Sequence, residues 1–271
     1  MMPHLPRRLL LAAPALLMAA PARAVTLNES GLKQGGFVVG RAAPGTRLAL
    51  DGRAVRVSAA GDFAFGFGRD HAAQARLAIS SPSGGAETRV LNIARRQWPT
   101  ESISGLPPAQ VTPDAETLTR IAREREKLGG VRALESGLTG FAEGFTRPAP
   151  GRISGVFGSQ RILNGQPRQP HYGLDFAAPT GTPVVACAAG RVTLADEFHF
   201  FGKLIVLDHG HGVNSLYAHL SEIAVREGES IAKAQRIGAI GMTGRVTGPH
   251  LHFSLSWFQQ WLDPQPVVLA G

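Results

Sequence analysis

Seven of the nine histidines lie between His171 and His252, and three short segments there combine them with groups able to bind a metal or carry a proton. The first is His171-Tyr172-Gly173-Leu174-Asp175, an imidazole and a carboxylate four positions apart. Pro170, Gly173 and Pro179 exclude the helix that would put both on one face. In a flat strand their Cα atoms would lie about 13 Å apart, too far to share one ion with bonds near 2 Å. If both are ligands, the chain must bend at Gly173. The second segment, 250–256, alternates cleanly: Leu251, Phe253 and Leu255 make one face, and His250, His252, Ser254 and Ser256 the other. The third, 214–220, shows the same period, with Leu216, Ala218 and Leu220 expected inward and Ser215, Tyr217 and His219 expected together on a cleft wall.

Taken together, the segments supply three metal ligands and two spare imidazoles, the set that amide hydrolysis by zinc requires. A catalytic zinc keeps three protein ligands and an open position for water. Neighbouring imidazoles can move the proton and stabilise the oxyanion. The residues alone leave open which of His250 and His252 is the ligand. Two weaker candidates could touch substrate: Arg161, ten positions before His171, could meet a carboxylate, and His199 could sit on a loop beside the cleft. His209 and His211 are flanked by glycines that mark a hairpin turn, so a structural or surface role is expected for them. Cys187, the single cysteine, lies in an apolar run and reads as a small buried hydrophobe that forms no internal disulfide.

The scaffold that must position these groups reads as mainly β. Residues 37–93 hold short strand-like runs at about ten-residue spacing, and Asp51-Gly52 is a tight hairpin signal. A small, immunoglobulin-like β-sandwich over 25–95 is expected. Residues 96–151 form a proline-bearing linker with one helix, capped by Thr112, begun at Pro113, ended at Gly129-Gly130 and expected to be solvated. From 152 to 271 glycine-rich β runs suggest an antiparallel domain. Residues 1–24 read as a cleavable export signal, with Arg7 and Arg8 before an apolar run and Ala22-Arg23-Ala24 as the cleavage site. Its removal would leave 25 basic against 20 acidic residues, too mild and diffuse an excess for nucleic acid but suited to an anionic cell envelope. A periplasmic or secreted protein with no stable membrane span after cleavage is the expectation.

The segment 152–264 resembles the lysostaphin-type peptidoglycan metallopeptidases. The likeness is carried by His171-Tyr172-Gly173-Leu174-Asp175-Phe176, Gly181-Thr182-Pro183-Val184, Tyr217-Ala218-His219-Leu220 and Thr247-Gly248-Pro249-His250-Leu251-His252-Phe253, in that order. It implies a duplicated-hybrid-motif metallopeptidase domain, one zinc held by His171, Asp175 and His252, and catalytic imidazoles at His219 and His250. It also implies hydrolysis of peptide bonds in peptidoglycan stem-peptide cross-links. The alternative is a non-catalytic wall-binding protein or an activator of other wall hydrolases, which leaves room for a regulatory protein partner. One departure is Ser254, where the family often has an acid; it is expected to tune the cleft rim without touching the metal.

Overall fold

The computed structural model describes residues 25–105 and 112–269. The proposed export signal and Pro107 and Pro108 lie outside the described residues. The N-terminal strands are β1 (Thr26–Leu27), β2 (Phe37–Arg41), β3 (Arg47–Leu50), β4 (Arg53–Val55), β5 (Asp62–Gly66), β6 (Gln74–Ser80) and β7 (Ala86–Asn92). They form two antiparallel sheets, ordered β1-β2-β5 and β4-β3-β6-β7. Strand β6 shows why they pack: Ala75, Leu77 and Ile79 are buried while the residues between them are exposed, a period of two that gives the sheet one apolar face. The β3–β4 hairpin turns at Asp51 and Gly52, with φ of 47° and 85°, the pair of positive values a two-residue I′ turn demands.

The linker is more structured than its composition suggests. Strand β8 (Thr100–Ile103) runs parallel to β10 (Gln160–Leu163), a partner some sixty residues away that no local pattern reveals. Helix α1 (Ala115–Arg132) starts later and ends later than expected. Its N-cap is Asp114, whose carboxylate accepts the Thr117 amide at 2.7 Å, rather than Thr112. It also runs through Gly129-Gly130, because tertiary contacts hold its last turn. Ile121, Leu128 and Arg132 are buried on one stripe, and Lys127 pairs with Asp196 at 2.7 Å. The helix therefore packs on the C-terminal domain; it is not a solvated connector.

The C-terminal strands are β9 (Arg152–Gly155), β10, β11 (Gln166–Pro167), β12 (Leu174–Ala177), β13 (Pro183–Val185), β14 (Gly190–Phe198), β15 (Gly202–Gly210), β16 (Val213–Ile223), β17 (Ser230–Ile231), β18 (Arg236–Ile240), β19 (His250–Trp257) and β20 (Gln260–Leu262). Ten of them make one antiparallel sheet with the central order β17-β14-β15-β16-β19-β12-β9. Leu174, Phe176, Leu251 and Phe253 fill the core on one side. Leu204, Leu216 and Ala218 pack with Leu128 of α1 on the other. At one end, Val213, Leu255, Trp257, Phe258 and Leu262 join the same apolar cluster as Phe63, Phe65 and Leu77 of the sandwich. Arg96 and Asp263, 2.7 Å apart, tie the linker to that end. Among the described residues no helix is long and apolar enough to cross a membrane.

Candidate active site

Strands β12 and β19 are neighbours, and their register places Asp175 opposite His252. The chain bends at Gly173 before β12 begins, which returns His171 to the same spot. His171 Nε2, Asp175 Oδ1 and His252 Nδ1 then form a triangle with edges of 3.1 Å, 3.0 Å and 2.9 Å. All three residues are buried. Ligand atoms around a tetrahedral ion with bonds near 2.0 Å are separated by about 3.3 Å, so the triangle is close to that size.

The outward nitrogens of the rings explain why this cluster wants a cation. His171 Nδ1 donates to the Val156 carbonyl at 3.1 Å, and His252 Nε2 is 2.9 Å from Ser254 Oγ, which accepts from it. With those protons assigned, both nitrogens that face each other present lone pairs, and the third corner is a carboxylate oxygen. Three converging acceptors repel unless a positive charge sits between them. Burial raises the Asp175 carboxyl, but His171 and His252 outweigh it and hold the group well below the usual carboxylate range. Burial pushes the His252 imidazole down to about 4, which favours the neutral, ligating form.

Two further imidazoles stand beside the triangle. The His219 ring lies 4.8 Å from that of His250 and 5.9 Å from that of His252. His219 Nδ1 donates to the Thr243 carbonyl at 2.9 Å, and His250 Nδ1 to the Gly248 carbonyl at 2.8 Å. Each therefore keeps Nε2 as an available base. Burial first, then the neighbouring His252 and His250, pushes His219 down to about 3, so it is neutral near pH 7. The cleft that holds the group encloses about 610 Å³, with α1 as one wall and His171, His219 and His252 on its floor.

Several expectations change here. Tyr217 does not share the cleft wall with His219. Its ring is fully buried on the opposite face of the sheet, packed on Phe253, and its hydroxyl accepts from the Cys187 amide and from Ser215. The cause is a break in the alternation of β16: its pairing with β15 slips in register across this segment, and His219 takes a φ of 62°, which rotates the imidazole onto the Leu216 and Ala218 side. Ser254 is not on the rim either; it is buried and holds a ring of the metal triangle, because a period of two sets 254 on the same face as 252. His199 does not line the cleft. Its backbone amide is taken by the Glu124 carboxylate, and its flanking residues Phe198, Phe200 and Phe201 line the wall instead. Arg161 does reach the site, with Nη2 3.9 Å from Asp175 Oδ2. His209 is fully buried between the Ala189 carbonyl and Ser215, and His211 occupies the turn before β16, as their structural reading expects. Cys187 is fully buried, its thiol pushed up to about 11 by desolvation.

Thr243 and Gly155 escaped the sequence reading, since neither carries a metal-binding group. A Cβ built on Gly155 would lie 2.3 Å from Asp175 Oδ2 and 3.1 Å from His171 Cε1. We expect Gly155→Ala to lower metal affinity at least tenfold by displacing two ligands, the scale on which outer-shell changes act. Metal titration of the folded variant checks this, and unchanged affinity would show that the ligands can give way.

Comparison with known proteins agrees with this geometry. Residues 169–264 match the model of peptidase family M23. The chain carries an M23 peptidase domain. That domain is 44% identical over 105 residues to the peptidoglycan DD-endopeptidase ShyA of Vibrio cholerae, a match covering 38% of this chain and 24% of the relative. It is 40% identical over 118 residues to the DD-carboxypeptidase/endopeptidase Mpg of Neisseria meningitidis, covering 44% and 27%. The chain thus spans about a quarter of the length of these curated relatives. A solved chain from Pseudomonas aeruginosa assigned to peptidase M23 is 27% identical, superposes with a TM-score of 0.69, and is covered to 96% while covering 89% of this chain. That likeness extends beyond the M23 domain to the N-terminal part of the fold.

Proposed function

We propose that the protein is an exported zinc endopeptidase that hydrolyses peptide bonds in bacterial cell-wall peptidoglycan, at stem-peptide cross-links. The observation that carries this is the triangle of His171, Asp175 and His252 with two carbonyl-anchored imidazoles beside it. The M23 domain and the names of the relatives support the substrate class. His171, Asp175 and His252 would hold the ion, which when bound supplies a Lewis acid for the scissile carbonyl and an acidified water. His219, held neutral with Nε2 in the cleft, is the base that would accept a proton from the attacking water and return it to the leaving amine. His250, with Nδ1 already given to the Gly248 carbonyl, donates from Nε2 toward the developing oxyanion in its doubly protonated form, at the rim, where its side chain remains 17% exposed. Thr243 keeps the His219 ring in the required tautomer through its carbonyl.

The test joins metal content to product. Purified full-length protein is expected to contain one zinc per chain and to release soluble peptide fragments from sacculi, identified by mass spectrometry. The exported form is expected to begin at Val25. Zinc-loaded protein that binds sacculi without releasing peptide would favour the wall-binding or activator reading instead.

A further inference from the structure

Cations dominate the cleft beyond the metal triangle. Arg125, Arg132, Arg161, Arg168 and Arg245 line it, and the one acid in the same lining is Glu124, already engaged by the His199 amide and by Arg120. Arg132 is held deep in the cleft by Ser256, the Phe258 carbonyl and the face of Trp261. Arg161, Arg168 and Arg245 form a separate group. Arg161 reaches to 3.9 Å from the Asp175 oxygen that faces away from the triangle. Its buried Nε has no hydrogen-bond partner, and Glu101 on β8 lies 3.7 Å from it. The Arg168 amide bonds the Arg161 carbonyl, so the two belong to one hairpin. Arg245 lies over the Phe200 ring at 4.1 Å. Its guanidinium is lowered to about 10 by burial and by the charges of Arg161 and Arg168. Guanidinium groups gathered in a cleft attract an anion of matching geometry.

We propose that Arg161, with Arg245 and Arg168, is a carboxylate-reading site that selects substrates with a free α-carboxylate beside the scissile bond. This rests on the peptidase reading above. Chemistry fixes which side of the bond carries that group. The α-carboxyl of the acyl residue is the scissile carbonyl itself, so a free α-carboxylate next to the bond belongs to the residue that supplies the leaving amine. Arg161 is close enough to the metal ligand to reach such a group, and its planar fork can take both oxygens. Two sources present this chemistry: the amine-side residue of a cross-link, and the last residue of an uncross-linked stem peptide.

The experiment uses full-length, zinc-loaded protein and two substrate pairs: a cross-linked muropeptide dimer with its amine-side α-carboxyl free or amidated, and a linear stem peptide with its terminal carboxyl free or amidated. A ten- to hundredfold higher kcat/KM for the free acid is expected, about what a charge-assisted hydrogen bond gives, and the pair showing it identifies the source. Arg161→Gln and Arg245→Gln should each shrink that preference by raising KM for the acid alone, while zinc stays bound. Calorimetric binding of the same peptides to zinc-loaded His219→Ala protein reads the preference without turnover. Equal binding of acid and amide, a preference that survives Arg161→Gln, or loss of zinc from that variant would each overturn the proposal. Discrimination in binding by a wild type that cuts neither peptide would overturn the peptidase reading and leave the carboxylate site standing.

Discussion

Replacing Asp175 or His252 by alanine is expected to remove metal and turnover together, whereas His219→Ala should lose turnover and keep its metal. The first two residues each supply a corner of the donor triangle, with edges of 2.9 to 3.1 Å. Deleting one leaves two ligands, and affinity should fall by more than the roughly ten- to hundredfold that loss of an outer-shell partner costs. His219 supplies no corner. Its Nδ1 is committed to the Thr243 carbonyl, and its ring centre is 5.9 Å from that of His252. What it offers is a neutral base, and its loss should lower the rate by at least about a hundredfold. His250→Ala should behave like His219→Ala, since its Nε2 is 4.0 Å from Asp175 Oδ1 and lies outside the triangle. Metal analysis beside turnover on each purified variant is decisive. Zinc lost from the His250 variant but kept by the His252 variant would reverse the assignment within the pair.

A fragment beginning at residue 152 should fail to give a stable, soluble metalloprotein, although all five chemical residues lie within it. Reading position alone suggests that this segment stands by itself. The packing points the other way. Val213, Leu255, Trp257, Phe258 and Leu262 share one apolar cluster with the sandwich, and full burial of each such side chain is worth about 1.5–3 kcal/mol. Even partial exposure of five of them rivals the roughly 5–15 kcal/mol by which a domain is stable. The fragment also loses α1, and with it the cover that Leu128 gives to Leu204, Leu216 and Ala218. Solubility, zinc content and thermal unfolding of the fragment beside the full chain provide the measurement. A second fragment starting at residue 112 restores α1 and separates the helix from the sandwich. A monomeric 152–271 fragment with full zinc and an unchanged Tm would show that the shared cluster is dispensable.

The sequence by itself determined the elements whose cause is local. The alternation of 250–256 places His250, His252, Ser254 and Ser256 on one face because a strand has a period of two, and β19 keeps that pattern. A bend at Gly173 was required only if His171 and Asp175 share one ion, since a flat strand would hold them about 13 Å apart. The β3–β4 hairpin follows from Asp51-Gly52, which tolerates positive φ at both turn positions. Which histidine of the pair ligates could be assigned only by resemblance, since both lie on the same face.

Only the tertiary structure decided the rest. The slipped pairing and positive φ at His219 separate it from Tyr217, and a shift of one position sends every later side chain to the other face. Nothing within the seven-residue segment announces that irregularity, because it is imposed by pairing with β15 and by the Thr243 carbonyl that receives the ring. Helix α1 has a charged composition that reads as solvated, yet Ile121, Leu128 and Arg132 form its cleft-facing stripe, and a helix's partner is set by the surface available to it rather than by its own period. Strand β8 and the shared cluster depend on contacts between segments sixty or more residues apart. Local backbone preference grouped the candidate ligands on shared faces; long-range pairing and packing fixed what surrounds them.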